Sequence, residues 1–506
     1  MKVEVRQGTV EETAADALVV NLFQGVEKPG GATGAVDGAL GGLISRLAAD
    51  GEIKGKDGEV TLIHTEGRLN VPRVLVAGLG KKEEFDWQKA AAAAAAAARK
   101  ARGLGARKLA TVIHGAGTGG LSPDRAAQAV VEGTILGLYE FRKFKTESDE
   151  DERPGIDELL LVEQDPAKLG AARDGAARGG LLGEVINETR DLVNSPGSEV
   201  TPTSLAECAR DLALSNGLEV EILGPAELEK MGAGAILAVA KGSVQPPRLI
   251  SLRYQAAGAP ENLTLALVGK GITFDAGGIS IKPASKMHEM KMDMAGAAAV
   301  LGAMKVVAAL KPAVNVIGIV AATENLPSGT AVKPGDIAKT MSGLTVEILN
   351  TDAEGRLILA DAVTYARKLG ATHIVDLATL TGAVLVALGS LASGLVSNDE
   401  GLTDLVKKAS ELSGERVWPF PTYPEYKEDL KGEFADLKNV GGNGAGTIMG
   451  GLFIGRFAEG LPWVHLDIAG TAWNDKSGKV LGKGATGVGV RMMTELAFLM
   501  AARSAS

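Results

Sequence analysis

Short runs rich in Val and Leu alternate with helix-length segments along most of the 506 residues, and this alternation constrains the fold more than any other feature. It is typical of α/β proteins, in which helices cover a sheet. Gly occurs 67 times and aromatic residues make up only 4%, which favours closely packed helix-on-sheet layers over a β-sandwich. The strand-like runs of the first third lie at 17–23, 73–80, 108–115 and 158–164.

The chain is too long for one hydrophobic core of ordinary size, so we expect two domains. The sequence predicts a smaller α/β domain over 1–165, a connecting helix over 166–194, and a larger α/β domain over 195–506 with a mixed, mainly parallel central sheet. Nine consecutive alanines at 90–98 predict a helix. The charged run at 145–157 is interpreted as a solvated loop.

Charge and composition disfavour several classes of partner. The net charge of -9 and the pI near 5.4 give no overall field that attracts nucleic acid or an anionic membrane. The amino terminus has no apolar targeting segment, and no run of 18 uninterrupted apolar residues follows. The single cysteine, Cys208, fits a reducing compartment and a packing role. We therefore expect a cytoplasmic protein.

The first cluster of polar residues that could take part in catalysis or binding follows a predicted strand at 263–268. A Gly-rich turn there carries Lys270 and Asp275, and Lys282 comes after a short predicted strand at 278–281. In open α/β sheets, ligands bind beyond the carboxyl ends of strands. The sequence thus predicts that these charged side chains lie at a functional edge of the sheet.

The second cluster follows the predicted strand at 345–349. Asp352, Glu354 and Arg356 are spaced by two, which in extended backbone points all three side chains to one side. Asp293 lies among small and apolar residues of an Ala/Gly-rich helix, where a carboxylate needs a nearby cation. Together with the aspartate of the first cluster, these carboxylates predict a paired-metal site of hard oxygen ligands.

The sequence does not match the motifs of several other enzyme classes. Thr264 stands where a phosphate loop needs its first Gly, and Gly271 replaces its Ser or Thr. The sequence contains no GxSxG nucleophile motif. No HExxH pair supports a His-rich zinc site, so each histidine is expected to pack or hydrogen-bond locally; they are His64, His114, His288, His373 and His465.

The octapeptide NTDAEGRL at 350–357 resembles the hallmark of the leucyl aminopeptidases, the cytosol aminopeptidase family. Similar segments are VGKGITFDAGGISIKP at 268–283, DLATLTGA at 376–383 and HLDIAG at 465–470, so the resemblance covers the whole carboxyl-terminal domain. The amino-terminal domain resembles the family only in general character, as a macro-like α/β domain. One departure from the family pattern is Ala276, where Thr is common beside the metal site.

The resemblance implies a dimetal peptidase domain that holds two divalent ions, manganese or zinc, in each subunit. One ion would be bound by Lys270, Asp275, Asp293 and Glu354. The other would be bound by Asp275, Asp352 and Glu354, with help from the Asp352 backbone carbonyl. A lysine can act as a ligand only as the neutral amine, which burial and a neighbouring dication can enforce.

The resemblance also implies how catalysis would be divided. Lys282 would act as an electrophile toward the scissile carbonyl oxygen, and Arg356 would hold a bicarbonate ion that serves as general base. The substrates would be peptides with a Leu-like first residue, and the assembly a homohexamer. The positions implied to line the first specificity pocket or to bind the substrate backbone are Met290, Thr379, Leu380 and Gly382.

Two other functions are compatible with these residues. A metal-dependent phosphoesterase could also use a carboxylate dimetal site, with Lys282 and Arg356 on phosphate oxygens. It would be favoured by hydrolysis of p-nitrophenyl phosphate in excess of aminoacyl anilides. Alternatively, the amino-terminal domain could bind a nucleotide-like or nucleic-acid ligand independently of peptidase activity, a hypothesis that rests on its macro-like character.

Overall fold

The computed structural model describes residues 1–147, 155–260 and 262–504. The chain divides into two compact units, one of Met1–Asn187 with Asp475–Lys483 and the other of Glu188–Asn474 with Gly484–Ser506. One helix, Leu169–Asn194, contains the border between them and covers most of the predicted connecting segment. The predicted loop at 145–157 lies largely outside the described residues.

The first unit contains a six-stranded sheet of order β1-β6-β5-β2-β4-β3. Every neighbouring pair is parallel except β3 and β4. Its strands are Lys2–Gln7 (β1), Ala17–Leu22 (β2), Val60–His64 (β3), Arg73–Gly78 (β4), Lys108–Val112 (β5) and Glu158–Glu163 (β6). Its helices are Gly31–Ala39 (α1), Leu43–Ala49 (α2), Trp87–Gly103 (α3) and Pro123–Gly137 (α4), followed by Leu169–Asn194 (α5).

The alanine run forms helix α3, as predicted from the high helix propensity of alanine. Its small side chains also allow a neighbouring helix to pack closely. Asp86 caps its amino terminus by accepting a hydrogen bond from the Lys89 backbone N–H. A Cβ atom added at Gly133 of α4 would lie 2.3 Å from the Ala91 carbonyl oxygen. The two helix backbones therefore touch, and larger residues in the alanine run would push them apart.

The second unit is built on an eight-stranded sheet of order β15-β14-β17-β13-β9-β10-β8-β7. The pairs β9–β10, β9–β13, β13–β17 and β14–β15 are parallel and the other three are antiparallel, which confirms a mixed, mainly parallel sheet. Its strands are Glu219–Leu223 (β7), Arg248–Tyr254 (β8), Thr264–Asp275 (β9), Asn315–Asn325 (β10), His373–Ala378 (β13), Ser393–Ser397 (β14), Val417–Pro419 (β15) and Trp463–Asp467 (β17).

Smaller sheets complete this unit. A three-stranded sheet contains Asp336–Lys339 (β11), Thr345–Ile348 (β12) and Leu437–Lys438 (β16), and Trp473–Asn474 (β18) pairs with Gly484–Ala485 (β19). The helices are Pro202–Asn216 (α6), Pro225–Met231 (α7), Gly234–Ala240 (α8), Ala295–Leu310 (α9), Gly355–Lys368 (α10), Gly382–Leu388 (α11), Glu400–Ser413 (α12), Glu425–Glu428 (α13), Gly446–Gly455 (α14) and Val490–Ser504 (α15).

The segment Met287–Leu310 is long and apolar enough to cross a membrane. However, 83% of its most apolar window is buried inside the protein, so it fits equally well as a core helix. It consists of a 3-10 helix, Met287–Met294, followed by α9. Helix α9 packs on β9 and β10 at the centre of the sheet.

Candidate active site

The central strand β9 supplies the first two site residues. The strand continues to Asp275 and not only to 268, so Lys270 lies within it, and the prediction of a Gly-rich turn at this point is wrong. Lys270 pairs with Ala321 of β10 and is almost fully buried. Its Nζ lies 2.7 Å from Asp293 Oδ2 and 2.9 Å from Glu354 Oε1.

Asp275 ends the strand and receives several polar contacts. Its Oδ1 accepts hydrogen bonds from the Asn325 side-chain amide at 2.8 Å and from the Gly277 backbone N–H at 2.9 Å. Its Oδ2 lies 2.7 Å from Lys282 Nζ, which is also 2.5 Å from Asp352 Oδ1. The predicted short strand before Lys282 is wrong, because residues 278–280 form a turn and a bend and residue 281 belongs to no strand.

Asp293 lies in the 3-10 helix that precedes α9, two residues before α9 begins, whereas the sequence predicted one continuous helix through this position. Its Oδ1 accepts a hydrogen bond of 2.7 Å from Thr379 Oγ1. The Thr379 carbonyl oxygen in turn accepts a hydrogen bond of 2.9 Å from Lys270 Nζ. Thr379 thus contacts both partners of one buried ion pair.

The loop after β12 does not have the extended backbone that the spacing-two pattern implied. Asp352 lies in a turn, Glu354 has helical φ and ψ at the start of α10, and Arg356 belongs to the first turn of that helix. The three side chains therefore diverge. Glu354 points to Lys270 in the interior, whereas Asp352 and Arg356 line an open cavity.

The close approach of α10 to Lys270 depends on a glycine. A Cβ atom added at Gly355 would lie 2.6 Å from Lys270 Cε and 2.8 Å from its Nζ. These distances are shorter than van der Waals contact. Any larger residue there would displace the lysine or the helix amino terminus.

The buried carboxylates form a close cluster around the Lys270 ammonium group. Ligand atoms of Asp275, Asp293 and Glu354 all lie within 4.8 Å of one another. Apart from the lysine contacts, Asp293 Oδ2 and Glu354 Oε1 have no hydrogen-bond partner in the part of the chain that the structure describes. Carboxylates crowded this closely repel one another when ionised, so the donor set fits a bound cation.

Burial and the repulsion between neighbouring carboxylates raise the pKa values of two acids in the cluster. Burial, reinforced by the charge of Asp275, raises the pKa of Glu354 to about 8. Burial also raises the pKa of Asp293 to about 6, although the nearby Lys270 ammonium opposes the shift. Burial would lower the pKa of Lys270, but the carboxylates of Asp293 and Glu354 outweigh it and raise that pKa. A protonated lysine thus partly balances the carboxylates.

A cavity of about 460 Å³ opens beside this cluster. Lys282, Asp352 and Arg356 line it, together with the sequence-predicted Leu380 and Gly382. Thr379 is buried and Met290 is half-buried, and neither is among the lining residues. The substrate roles predicted for these two residues stay predictions.

Two asparagines in the site were not predicted. Asn325 ends strand β10 and donates through its amide to both Asp275 Oδ1 and the Thr351 carbonyl oxygen. A polar residue after an apolar run was the available signal, and it was overlooked. Asn439 holds the loop that carries Asp352 from the other side, and it has no comparable signal in its local sequence.

Two of the histidines form local hydrogen bonds in the buried interior. His465 Nδ1 lies 2.5 Å from Asp376 Oδ1 on the neighbouring strand, and His114 Nδ1 lies 3.0 Å from Asn21 Nδ2 in the first unit. Neither belongs to the carboxylate cluster.

The first unit has a separate cavity of about 520 Å³. It lies at the carboxyl ends of β1, β2, β5 and β6, and its walls include Gly31 at the start of α1 and the glycine-rich segment 115–119. The carboxyl ends of parallel strands are a common place for ligand binding in α/β proteins.

An α/β unit with a buried lysine and carboxylate cluster beside an open cavity fits a metal-dependent hydrolase. Residues 187–494 match the catalytic domain of the cytosol aminopeptidase family, and residues 19–148 match the N-terminal domain of that family. The chain belongs to the cytosol aminopeptidase family. It is therefore a peptidase, which decides against the phosphoesterase.

Relatives match over nearly the full length. A probable cytosol aminopeptidase of Alkaliphilus metalliredigens is 46% identical over 98% of this chain and 99% of its own. One of Solibacter usitatus is 45% identical over the same shares. Among solved structures, a mutant of tomato leucine aminopeptidase is similar with a TM-score of 0.87 and 33% identity, covering 99% of this chain and 96% of that one. A bottromycin maturation enzyme, BotP, in complex with Mn has a TM-score of 0.84 and 33% identity, covering 96% and 100%.

Proposed function

We propose that this aminopeptidase works with two divalent metal ions held by the lysine and carboxylate cluster. Four carboxylates meet only two lysine ammonium groups there, so the cluster has excess negative charge. The buried carboxylates of Asp275, Asp293 and Glu354, whose ligand atoms lie within 4.8 Å of one another, carry the proposal. The Mn complex of BotP, a structural neighbour, supports manganese, and zinc is the alternative ion.

The ligands would divide as the family resemblance implies. Lys270, Asp275, Asp293 and Glu354 would hold one ion, and Asp275, Asp352 and Glu354 the other. Lys270 would have to lose its proton, and the positive charge of the ions favours that loss. Such ions would lower the pKa of a bound water and polarise the scissile carbonyl.

Two side chains at the cavity wall would act on the reaction. Lys282 keeps its proton because the carboxylates of Asp275 and Asp293 outweigh burial and raise its pKa. It would donate a hydrogen bond to the carbonyl oxygen as negative charge develops there. Arg356 would hold a bicarbonate ion as general base, and its buried Nε, without a partner in the described chain, supports binding of such an anion.

The preferred first residue of the peptide would be Leu-like. Leu380 and Met449 supply apolar surface in the cavity, and Gly382 leaves room for a side chain. Met290 is proposed as a further substrate contact, and the family resemblance implies a substrate contact for Thr379 as well.

Location and assembly are proposed from the family alone. We place the protein in the cytoplasm and expect a homohexamer, in which exposed apolar side chains such as Val386 and Leu391 would be covered. Sedimentation of the purified protein would test the assembly, since a monomer at micromolar concentration would contradict it.

The direct test compares hydrolysis of leucine p-nitroanilide by metal-loaded wild type and by Asp352→Asn. We expect activity that requires Mn or Zn, falls at least about 100-fold in the variant and is absent on a peptide blocked at its amino terminus. Metal-independent hydrolysis, or equal activity on the blocked peptide, would contradict a dimetal aminopeptidase.

A second candidate function is ligand binding by the first unit. The cavity at the carboxyl ends of its parallel strands favours a small nucleotide-like ligand over nucleic acid. Calorimetric titration of the full chain with ADP-ribose and with duplex DNA would test it. Absence of heat with both would remove this function without affecting the peptidase.

A further inference from the structure

Asn439 is a fully buried side chain next to the candidate active site. Its amide closes the loop that carries Asp352. Oδ1 accepts hydrogen bonds from the backbone N–H groups of Leu349 at 2.9 Å and Asn350 at 3.3 Å. Nδ2 donates to the carbonyl oxygens of Asn350 at 2.7 Å and Ala353 at 3.3 Å. One side chain therefore holds both ends of a five-residue loop.

The backbone of the same residue contacts a second functional group. The Asn439 carbonyl oxygen accepts a hydrogen bond of 3.0 Å from Arg356 Nη1, the one such bond of that guanidinium in the described chain. The Asn439 N–H donates to the Glu347 carbonyl oxygen at 2.9 Å, which anchors Asn439 to strand β12. Asn439 is thus tied to the loop of Asp352 and to Arg356 at once.

We propose that Asn439 is a positioning residue that fixes Arg356 relative to Asp352 for the aminopeptidase reaction. This inference rests on the role proposed for Arg356. Both groups face the cavity. No hydrogen bond or ion pair joins them directly in the part of the chain that the structure describes. A shift of about 1 Å in such groups can lower the rate by about 100-fold.

Only an amide meets these demands at this position. The loop offers two N–H donors to one side of Asn439 and two carbonyl acceptors to the other. Aspartate would keep the acceptor but place an oxygen against two carbonyl oxygens. Alanine would remove all four hydrogen bonds while leaving the backbone contact with Arg356 without its support.

The test measures kcat and KM on leucine p-nitroanilide, with metal at saturation, for wild type and Asn439→Ala. We expect kcat to fall by about 10- to 100-fold while KM changes by less than about threefold. The matched control is Asn398→Ala, because Asn398 likewise joins two backbone groups, Trp463 N–H and Leu461 C=O, away from the cavity. It should lose thermal stability with unchanged kcat.

A double-mutant cycle with Arg356→Ala separates positioning from a purely structural effect. If Asn439 acts through Arg356, adding Asn439→Ala to Arg356→Ala should lower kcat by less than about threefold further. If Asn439→Ala does not fold, Asn439→Ser retains a hydroxyl that can donate or accept one hydrogen bond, and it can be used in the same cycle.

The positioning role of Asn439 would be overturned if the two substitutions lowered kcat independently, so that their effects multiplied in the double variant. An unchanged kcat for Asn439→Ala would also overturn it. Neither result would affect the proposed function. An unchanged kcat for Arg356→Ala would contradict the proposed role of Arg356 and the inference with it. Loss of all wild-type activity in every metal would instead refute the proposed function.

Discussion

Replacing Thr379 by valine is predicted to weaken metal binding. Thr379 Oγ1 donates a hydrogen bond of 2.7 Å to Asp293 Oδ1, and its carbonyl oxygen accepts from Lys270 Nζ. Valine keeps the shape of the side chain and the backbone contact, and it removes only the hydroxyl donor. Family resemblance instead assigns Thr379 to the substrate, so the two interpretations predict different measurements.

The size of the effect follows from the burial of the pair. Asp293 and Thr379 are 5% and 6% exposed, so little water is available to replace the lost donor. A hydrogen bond to a charged group contributes about 1.5–3 kcal/mol. Removing an outer partner of a metal ligand typically costs about 10- to 100-fold in metal affinity. We expect the Kd for Mn to rise by an amount in that range.

Calorimetric titration of the metal-free protein with Mn would measure this change at fixed pH. Thr379→Ser retains the hydroxyl and should bind Mn within about threefold of wild type. An unchanged Kd for Thr379→Val, combined with a raised KM for leucine p-nitroanilide, would refute the reasoning and assign the hydroxyl to the substrate.

Two further predictions concern stability and packing. Burial alone would lower the pKa of His465, but the carboxylate of Asp376 outweighs burial and raises that pKa. The ion pair therefore stabilises the folded state fully below the unfolded pKa of about 6.5. This stabilisation is lost as the pH rises through the pKa of His465 in the folded state. Urea midpoints should therefore differ more between wild type and His465→Gln at pH 6 than at pH 9, and an equal difference would contradict this. Gly355→Ala should lower kcat at least about tenfold, because its Cβ would overlap Lys270. Gly103→Ala, where nothing lies within 4 Å, is the matched control for kcat and melting temperature.

Much of the fold could be predicted because most of the longer strands are apolar runs that alternate with helix-length segments. The error at Lys270 has a physical cause. Gly269 and Gly271 suggested a turn, but they lie within β9 because neighbouring backbones approach closely. Added Cβ atoms there would lie 2.6 Å from the carbonyl oxygens of Gly296 and Ala321. Glycine that allows close packing and glycine that allows a turn look the same in one sequence.

The carboxylates could be found from the sequence because Asp275, Asp352 and Glu354 follow apolar runs and Asp293 lies among small and apolar residues. Their arrangement, in contrast, depends on strand pairing over long separations. Asn439 shows the limit. The register of β12 and β16 pairs Val346 with Leu437 and Glu347 with Lys438, which brings Asn439 level with the end of β12. Strand β16 has only two residues, so no alternating apolar pattern in the sequence predicts it. A two-residue pairing thus positions a residue that contacts both the loop of Asp352 and Arg356, and only the tertiary structure reveals it.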